Sequence, residues 1–365
     1  MKKLEWQRAV VKVGSSLIAP SDNQCSAKYL AHIAQFITDS RKLGKEVILV
    51  SSGSVAAGRG KIAHYHRPSI AEKQAMAAIG QMEMMSNWAK LFASDCAQIL
   101  LTSDDLHDRT RYVNIKNTLR ELLKNHIIPI VNENDTVAIN ELKVGDNDNL
   151  AAYTALVSEA DTLIICTDID GLYNADPRKN ADASLMPLVT SIDQSIFDLA
   201  GGAGTSSGTG GMYTKIQAAK KCVSSGIQTL IVNGRDEEVF TTLVKGELAG
   251  TSFTPLESNH SARGNWLKYT LKPKGTIRVD QGAAEALLEN GASLLPPGIV
   301  STTKKFESGD VVNISYKKKV IAKGLALYSA AELSQIKGLN SSDIEDTLGY
   351  TLGEVVVHRD DLVLL

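Results

Sequence analysis

Apolar and polar positions along the chain follow two periods. Short runs rich in β-branched residues have the length and composition of strands: "AVVKV" (9–13), "EVILV" (46–50), "AQILLT" (97–102), "IIPIV" (127–131), "DTLIICT" (161–167) and "QTLIVN" (228–233). Between them apolar residues recur every three or four positions. Leu30, Ile33, Ala34 and Ile37 mark one face of a helix, and Gly44 follows where a C-cap belongs. "RYVNIKNTLRELLKN" and "NLAAYTALVSEA" repeat that period. Strands alternating with helices predict an α/β fold with a doubly wound, mainly parallel sheet and helices on both faces.

The pattern breaks near residue 252. "TSFTPLESNHSARGN" has no period and is rich in Ser, Thr and Asn, so residues 252–272 read as a linker after a first domain of residues 1–251. Residues 273–365 then show short strands with glycine turns: "GTIRVD", "SGDVVNIS", "KKVIAKGLALYS" and "GEVVVHRDDLVLL". One helix, "GAAEALLENG", lies among them. This predicts a small, β-rich second domain.

Composition narrows the function classes. The hydrophobic share of 43% and charged share of 22% are those of an ordinary globular protein. A net charge of −2 argues against a phosphate-backbone binder. From residue 273 onward there are 10 Lys and Arg against 12 Asp and Glu, so the tail lacks the basic excess that nucleic-acid binding needs. Its only basic run, Lys317 to Lys319, reads as a solvated turn. Cys25, Cys96, Cys166 and Cys222 are far apart and form no C-x-x-C pair, which argues against zinc and disulfide frameworks and fits a reducing cytoplasm. The first residues, "MKKLEWQRAV", lack the apolar stretch of a signal peptide, and no run approaches the length of a membrane span.

The candidate chemistry collects after strands. "KVGSS", "LVSSGS", "IVNEND" and "CTDIDG" put small and polar groups at strand C-terminal ends, where open α/β sheets bind ligands. Lys12 interrupts an apolar strand, and inside a central strand it would need a partner for its charge. The alternative is an edge strand with Lys12 in water. With the Gly-Ser-Ser turn after it, Lys12 points to phosphate. "GDNDNLAAY" (145–153) carries four consecutive Asp and Asn residues before a helix, where one cap needs one, and it lacks the later ligands of a calcium loop. Its carboxylates suit an ammonium group and its amides a carboxylate, as in an amino acid; "NEND" (132–135) offers similar groups. Asp168 and Asp170 in "TDIDGLYNADPR" read equally as nucleotide or magnesium contacts and as turn formers. "SGTGGMYTK" (207–215) is glycine-rich and ends in lysine without being a P-loop. "HYH" (64–66) and "DDLHD" (104–108) read as structural.

Taken together, "VVKVGSS", "VSSGSVAAG", "IVNENDTV", "KVGDNDNL", "TDIDGLY", "DPR" and "GTGGMYTK" resemble the amino-acid kinase family in order and spacing, over essentially the whole chain. The tail resembles a PUA domain. The resemblance implies ATP-dependent phosphorylation of the side-chain carboxylate of L-glutamate, with magnesium, as the first step toward proline. It implies that Lys12 and Lys215 contact the transferring phosphoryl group and that Asp148 orients both. Ser52, Asp135 and Asn147 would bind glutamate. Thr167, Asp168, Thr209, Gly210, Gly211, Met212, Tyr213, Thr214 and Lys215 would bind ATP together with Lys12. Tyr213 stands where the motif more often has a smaller residue. The partners it implies are a homo-oligomer (dimer or tetramer), glutamyl phosphate reductase, and proline as feedback inhibitor. The competing readings are a sister kinase for another acidic substrate and an RNA-binding protein acting through the tail.

Overall fold

The computed structural model describes residues 3–20, 25–63, 67–138, 147–177, 179–201, 211–255, 272–303 and 305–365. The chain divides into two compact units, residues 1–258 and 259–365.

The first unit is built on an eight-stranded sheet in the order β3-β4-β2-β1-β5-β7-β8-β6. The strands are β1 (Arg8–Val13), β2 (Glu46–Ser51), β3 (Cys96–Leu101), β4 (Ile128–Glu133), β5 (Thr162–Thr167), β6 (Leu188–Val189), β7 (Gln228–Asn233) and β8 (Thr251–Phe253). Every pairing is parallel except β7 with β8. The six expected strands are present within a residue or two. The polar stretch that begins at 252 opens with β8, too short to show a period.

Helices cover both faces because β1 is apolar on both. Ala9, Val11 and Val13 pack with residues of α2 (Leu30–Lys42), α4 (Ile70–Leu91) and α10 (Glu237–Val244). Val10 and Lys12 alternate with them and so face the other side. That side holds α7 (Asn147–Val157) and α9 (Met212–Val223), which pack on one another and on the sheet. Between these lie α1 (Ser15–Ile18), α3 (Ser54–Gly58), α5 (Ser103–His107), α6 (Arg109–Lys124) and α8 (Gln194–Leu199). The α3 and α4 backbones meet at two glycines. A Cβ on Gly58 would lie 2.0 Å from the Met76 carbonyl oxygen, and one on Gly80 would lie 1.9 Å from that of Ser54. No larger residue fits at that crossing.

The second unit carries a five-stranded sheet, β10-β9-β11-β12-β13, from β9 (Gly275–Val279), β10 (Ile299–Thr303), β11 (Val311–Tyr316), β12 (Lys319–Leu325) and β13 (Leu362–Leu364). Lys317 and Lys318 both have positive φ, 46° and 68°, and are exposed, so the first two lysines of the basic run form the two-residue turn of a hairpin and Lys319 opens β12. Three expectations need correction here. Among the described residues the tail has not one helix but three: Gln281–Asn290, Ala330–Ile336 and Ile344–Leu348. "GEVVVHRDDLVLL" is not one strand; Val357 makes a single bridge to Leu294, a short 3-10 turn follows, and pairing resumes at Leu362. β10 was not expected, because Pro296, Pro297 and Gly298 precede it and three of its five residues are Ser or Thr.

Candidate active site

Parallel register brings the polar strand ends to one rim. Val13 pairs with Ser51 on one side and with Cys166 on the other, and Thr167 pairs with Asn233. The chain leaves β1 toward β2, while β5 lies on the opposite flank, so strand order reverses around β1. That switch point is where a crevice opens at the C-terminal ends of the strands.

Lys12 sits in the fourth of eight strands and is 4% exposed, which rules out the edge-strand alternative. Its partner comes from the helix that "GDNDN" leads into. Asp148, in the first turn of α7, is wholly buried, and its Oδ1 lies 2.5 Å from Lys12 Nζ. Its Oδ2 lies 3.1 Å from Nζ of Lys215 on α9 and accepts from Thr214 Oγ1 at 2.9 Å. Burial opposes ionisation of Asp148. The two ammonium groups, with the hydrogen bonds from Lys12 and Thr214, outweigh it and hold the carboxyl well below the usual carboxylate range. One carboxylate between two ammonium groups leaves a net positive charge fixed beneath the rim.

A second cluster is built mainly of neutral hydroxyl and amide groups, with the Asp135 carboxylate beside them. Gly53, at φ +98°, turns the chain sharply after β2 and separates three serines into different roles. Ser51 is tied into the core: its Oγ accepts from Trp88 Nε1 at 2.9 Å and donates to Met84 Sδ at 3.1 Å. Ser54 Oγ donates to Asp135 Oδ2 at 2.7 Å. Ser52 is 7% exposed, and among the described residues its Oγ has no hydrogen-bond partner. Nearby, Asn147 Nδ2 donates to Asn132 Oδ1 at 3.0 Å, while Asn147 Oδ1 is buried and has no hydrogen-bond partner among the described residues. Such groups cost about 1–3 kcal/mol each when left unpaired, so two at one rim make it a candidate place for a polar ligand.

The third part is the start of α9. Gly211 is its N-cap, with extended backbone and no side-chain cap, and a Cβ there would meet nothing within 4 Å. Among the described residues no side chain caps this turn, so its first N–H groups can face an anion, although the Thr214 N–H already donates to the Gly211 carbonyl at 3.2 Å. Met212, Tyr213 and Thr214 are half-buried there, and Tyr213 packs on Phe197 with ring centroids 5.3 Å apart. Thr167 ends β5 and donates to Asp168 at 3.3 Å; Asp168 also lies 3.5 Å from Arg235. Asp170 accepts from Asn233 and Tyr173, both at 2.7 Å, which fits its turn-forming alternative. Thr209 and Gly210 of the glycine-rich loop, and "HYH", lie outside the described residues.

"DDLHD" is capping. Asp105 closes a capping box with Thr102, and Asp108 accepts from the backbone N–H of Arg111 at the start of α6. Sequence reasoning missed Gln81 and Gln98. Asn132 Nδ2 donates to Gln81 Oε1 at 2.8 Å, and Gln81 Nε2 donates to Gln98 Oε1 at 3.3 Å. The available signal was Gln98 itself, a polar interruption of "AQILLT" much as Lys12 interrupts β1.

Residues 7–233 match the family model described as the amino acid kinase family, and these are the residues that carry the switch point, both lysines and Asp148. The chain belongs to the amino acid kinase family. Residues 275–348 match the PUA domain model. Curated relatives align with this amino acid kinase from end to end. A glutamate 5-kinase of Idiomarina loihiensis is 52% identical, covering 100% of this chain and 99% of its own. One from Salinibacter ruber is 50% identical, covering 99% and 98%. One from Caldanaerobacter subterraneus is 45% identical, covering 98% of each. No helix among the described residues is long and apolar enough to cross a membrane.

Proposed function

We propose that the protein is a glutamate 5-kinase, transferring the γ-phosphoryl group of ATP to the side-chain carboxylate of L-glutamate to give L-glutamyl 5-phosphate and ADP, the first step of proline biosynthesis. The observation that carries this reading is the buried Lys12–Asp148–Lys215 cluster beside two unpartnered polar groups.

The nucleophile has a pKa of about 4.3 and is ionised at neutral pH, so no general base is needed. What the reaction needs is alignment of two anions and neutralisation of charge spreading over the phosphoryl oxygens. Lys12 and Lys215 supply that charge. Asp148 accepts from both ammonium groups and fixes their positions before substrate arrives, leaving a net positive site rather than a neutral one. The open N-terminus of α9, from Gly211 through Thr214, together with Thr209 and Gly210, holds the β- and γ-phosphates. Thr167 and Asp168 line the nucleotide side.

On the glutamate side, Ser52, Asn147 and Asp135 bind the amino acid. Bound together with ATP, magnesium would screen the charge on its phosphates. Such an ion keeps several waters and needs only one or two carboxylates plus phosphate oxygens. An acyl phosphate is labile, which fits a homo-oligomer handing it to glutamyl phosphate reductase, with proline as feedback inhibitor and the cytoplasm as the setting.

The test is chemical. Incubation with ATP, magnesium, glutamate and hydroxylamine should yield glutamyl hydroxamate in step with ADP. ADP released without hydroxamate would exclude an acyl phosphate, and preference for another acidic acceptor would move the protein to a sister activity.

A further inference from the structure

Four carboxamides form one hydrogen-bonded line: Asn147 Nδ2 to Asn132 Oδ1 (3.0 Å), Asn132 Nδ2 to Gln81 Oε1 (2.8 Å), Gln81 Nε2 to Gln98 Oε1 (3.3 Å). They come from α7, β4, α4 and β3, and the fold explains the meeting. Gln98 pairs in register with Ile130, which shares its face of β4 with Asn132, and α4 lies over that face. Asn132 is wholly buried and Gln81 is 8% exposed, whereas Gln98 is exposed on the edge strand β3.

Every bond in the line runs in the same sense. A carboxamide accepts at one end and donates at the other. Turning one amide over would set oxygen against oxygen or NH2 against NH2, so the four can reverse only together. In the observed sense the line ends with Asn147 Oδ1, buried and without a partner among the described residues, at the rim beside Asp148.

We propose that Asn132, Gln81 and Gln98 are positioning residues that fix Asn147 so that its Oδ1 accepts from the α-ammonium group of the amino-acid substrate. This rests on the reading that an amino acid fills the crevice. An acceptor-only atom can take an ammonium group and not a carboxylate. The anionic ends of the substrate are drawn instead to the positive cluster of Lys12 and Lys215. A carboxylate at position 147 would accept more strongly, but it would place a second anion next to Asp148 and disturb the lysine pair. The amide line gives acceptor polarity without charge. Asp135, held by Ser54, supplies the charged counterpart.

The outer end can be forced from a site that is exposed and remote from the reacting atoms. Gln98→Glu can only accept, so it keeps the observed sense. Gln98→Lys can only donate, so Gln81 must turn over, and Asn132 and Asn147 with it. Steady-state kinetics of the full chain should show KM for L-glutamate raised about tenfold in Gln98→Lys, the scale of one lost hydrogen bond. We expect kcat, KM for ATP and the inhibition constant of glutarate, the same diacid without the ammonium group, to stay put. Gln98→Glu should match the parent in all four. Equal KM values in the Lys and Glu variants, whether both shifted or both normal, would overturn the proposal, as would a parallel rise in the glutarate constant. A parent protein that forms no hydroxamate would overturn the functional reading instead.

Discussion

The lysine–aspartate cluster and the serine–amide cluster lie at the same rim of the same sheet, yet they meet burial in opposite ways. In the first, each ammonium group has an opposite charge beside it: Asp148 holds Lys12 at 2.5 Å and Lys215 at 3.1 Å. In the second, Ser52 Oγ and Asn147 Oδ1 have no partner among the described residues. The difference follows from cost. A buried ion without a counter-ion costs several kcal/mol, more than a small domain can spare, while a neutral polar atom costs about 1–3 kcal/mol. Charges must therefore be positioned by the protein itself. Neutral groups can wait for the ligand. The first arrangement suits transition-state stabilisation, which needs fixed dipoles and charges; the second suits recognition, which gains from contacts completed on binding.

Asp148→Asn should break this contrast most severely. The volume is kept, but two buried ammonium groups lose their counter-charge. We expect a loss of about 3–5 kcal/mol in unfolding free energy and a fall in kcat larger than any change in KM for ATP. The pH dependence has a definite sign. The folded pKa of Asp148 lies below its unfolded value of about 3.9, so its contribution is complete above that pH and is lost as pH falls through the folded value. Denaturant titrations should show a constant gap between parent and variant from about pH 8 to pH 5 that narrows below about pH 4. Near-parent stability and turnover would reduce Asp148 to a helix cap.

Lys215→Ala should lower kcat by about 10² or more, the scale of removing one preorganised electrostatic donor, with little change in KM for glutamate. Lys215→Arg should recover only part of the loss, because a planar fork does not replace a compact ammonium group.

The adjacent serines sharpen the neutral side. Ser52→Ala removes an unpartnered hydroxyl, so stability should hold while KM for glutamate rises about tenfold. Ser51→Ala removes the partner of Trp88 and should cost about 1 kcal/mol of stability with KM unmoved. Equal effects at the two positions would mean that burial, not partnership, separates them. The smallest effect is expected from ending the chain near Asn265: each proposed site residue precedes Lys220, so kinase constants should stay at full-length values. Loss of activity in a folded truncation would show that the second unit completes the site.

Much of the sheet was legible because its central strands carry long apolar runs on both faces. β6 and β8, two and three residues long, offer no period to read. In the tail, "SAAE" is a capping-box signal that marks Ala330–Ile336, and it passed unread because glycine turns dominated the segment. Lys12 was legible as a charge in an apolar strand, and "GDNDN" as more Asp and Asn than a cap needs. The split between Ser51 and Ser52 was not, since it depends on Trp88 and Met84 of a helix reaching one hydroxyl and not its neighbour. The amide line was hidden for the same reason: Gln81, Gln98, Asn132 and Asn147 meet only once α4 lies across β3 and β4.

The central division of labour can be tested in one assay, hydroxamate formation at varied glutamate and ATP by Lys215→Ala and Ser52→Ala side by side. We expect the lysine variant to lose kcat with KM for glutamate nearly intact, and the serine variant to raise KM for glutamate with kcat nearly intact. If Lys215→Ala instead raised KM for ATP and kept kcat, the fixed charges would serve binding alone, and the separation drawn between the two clusters would be wrong.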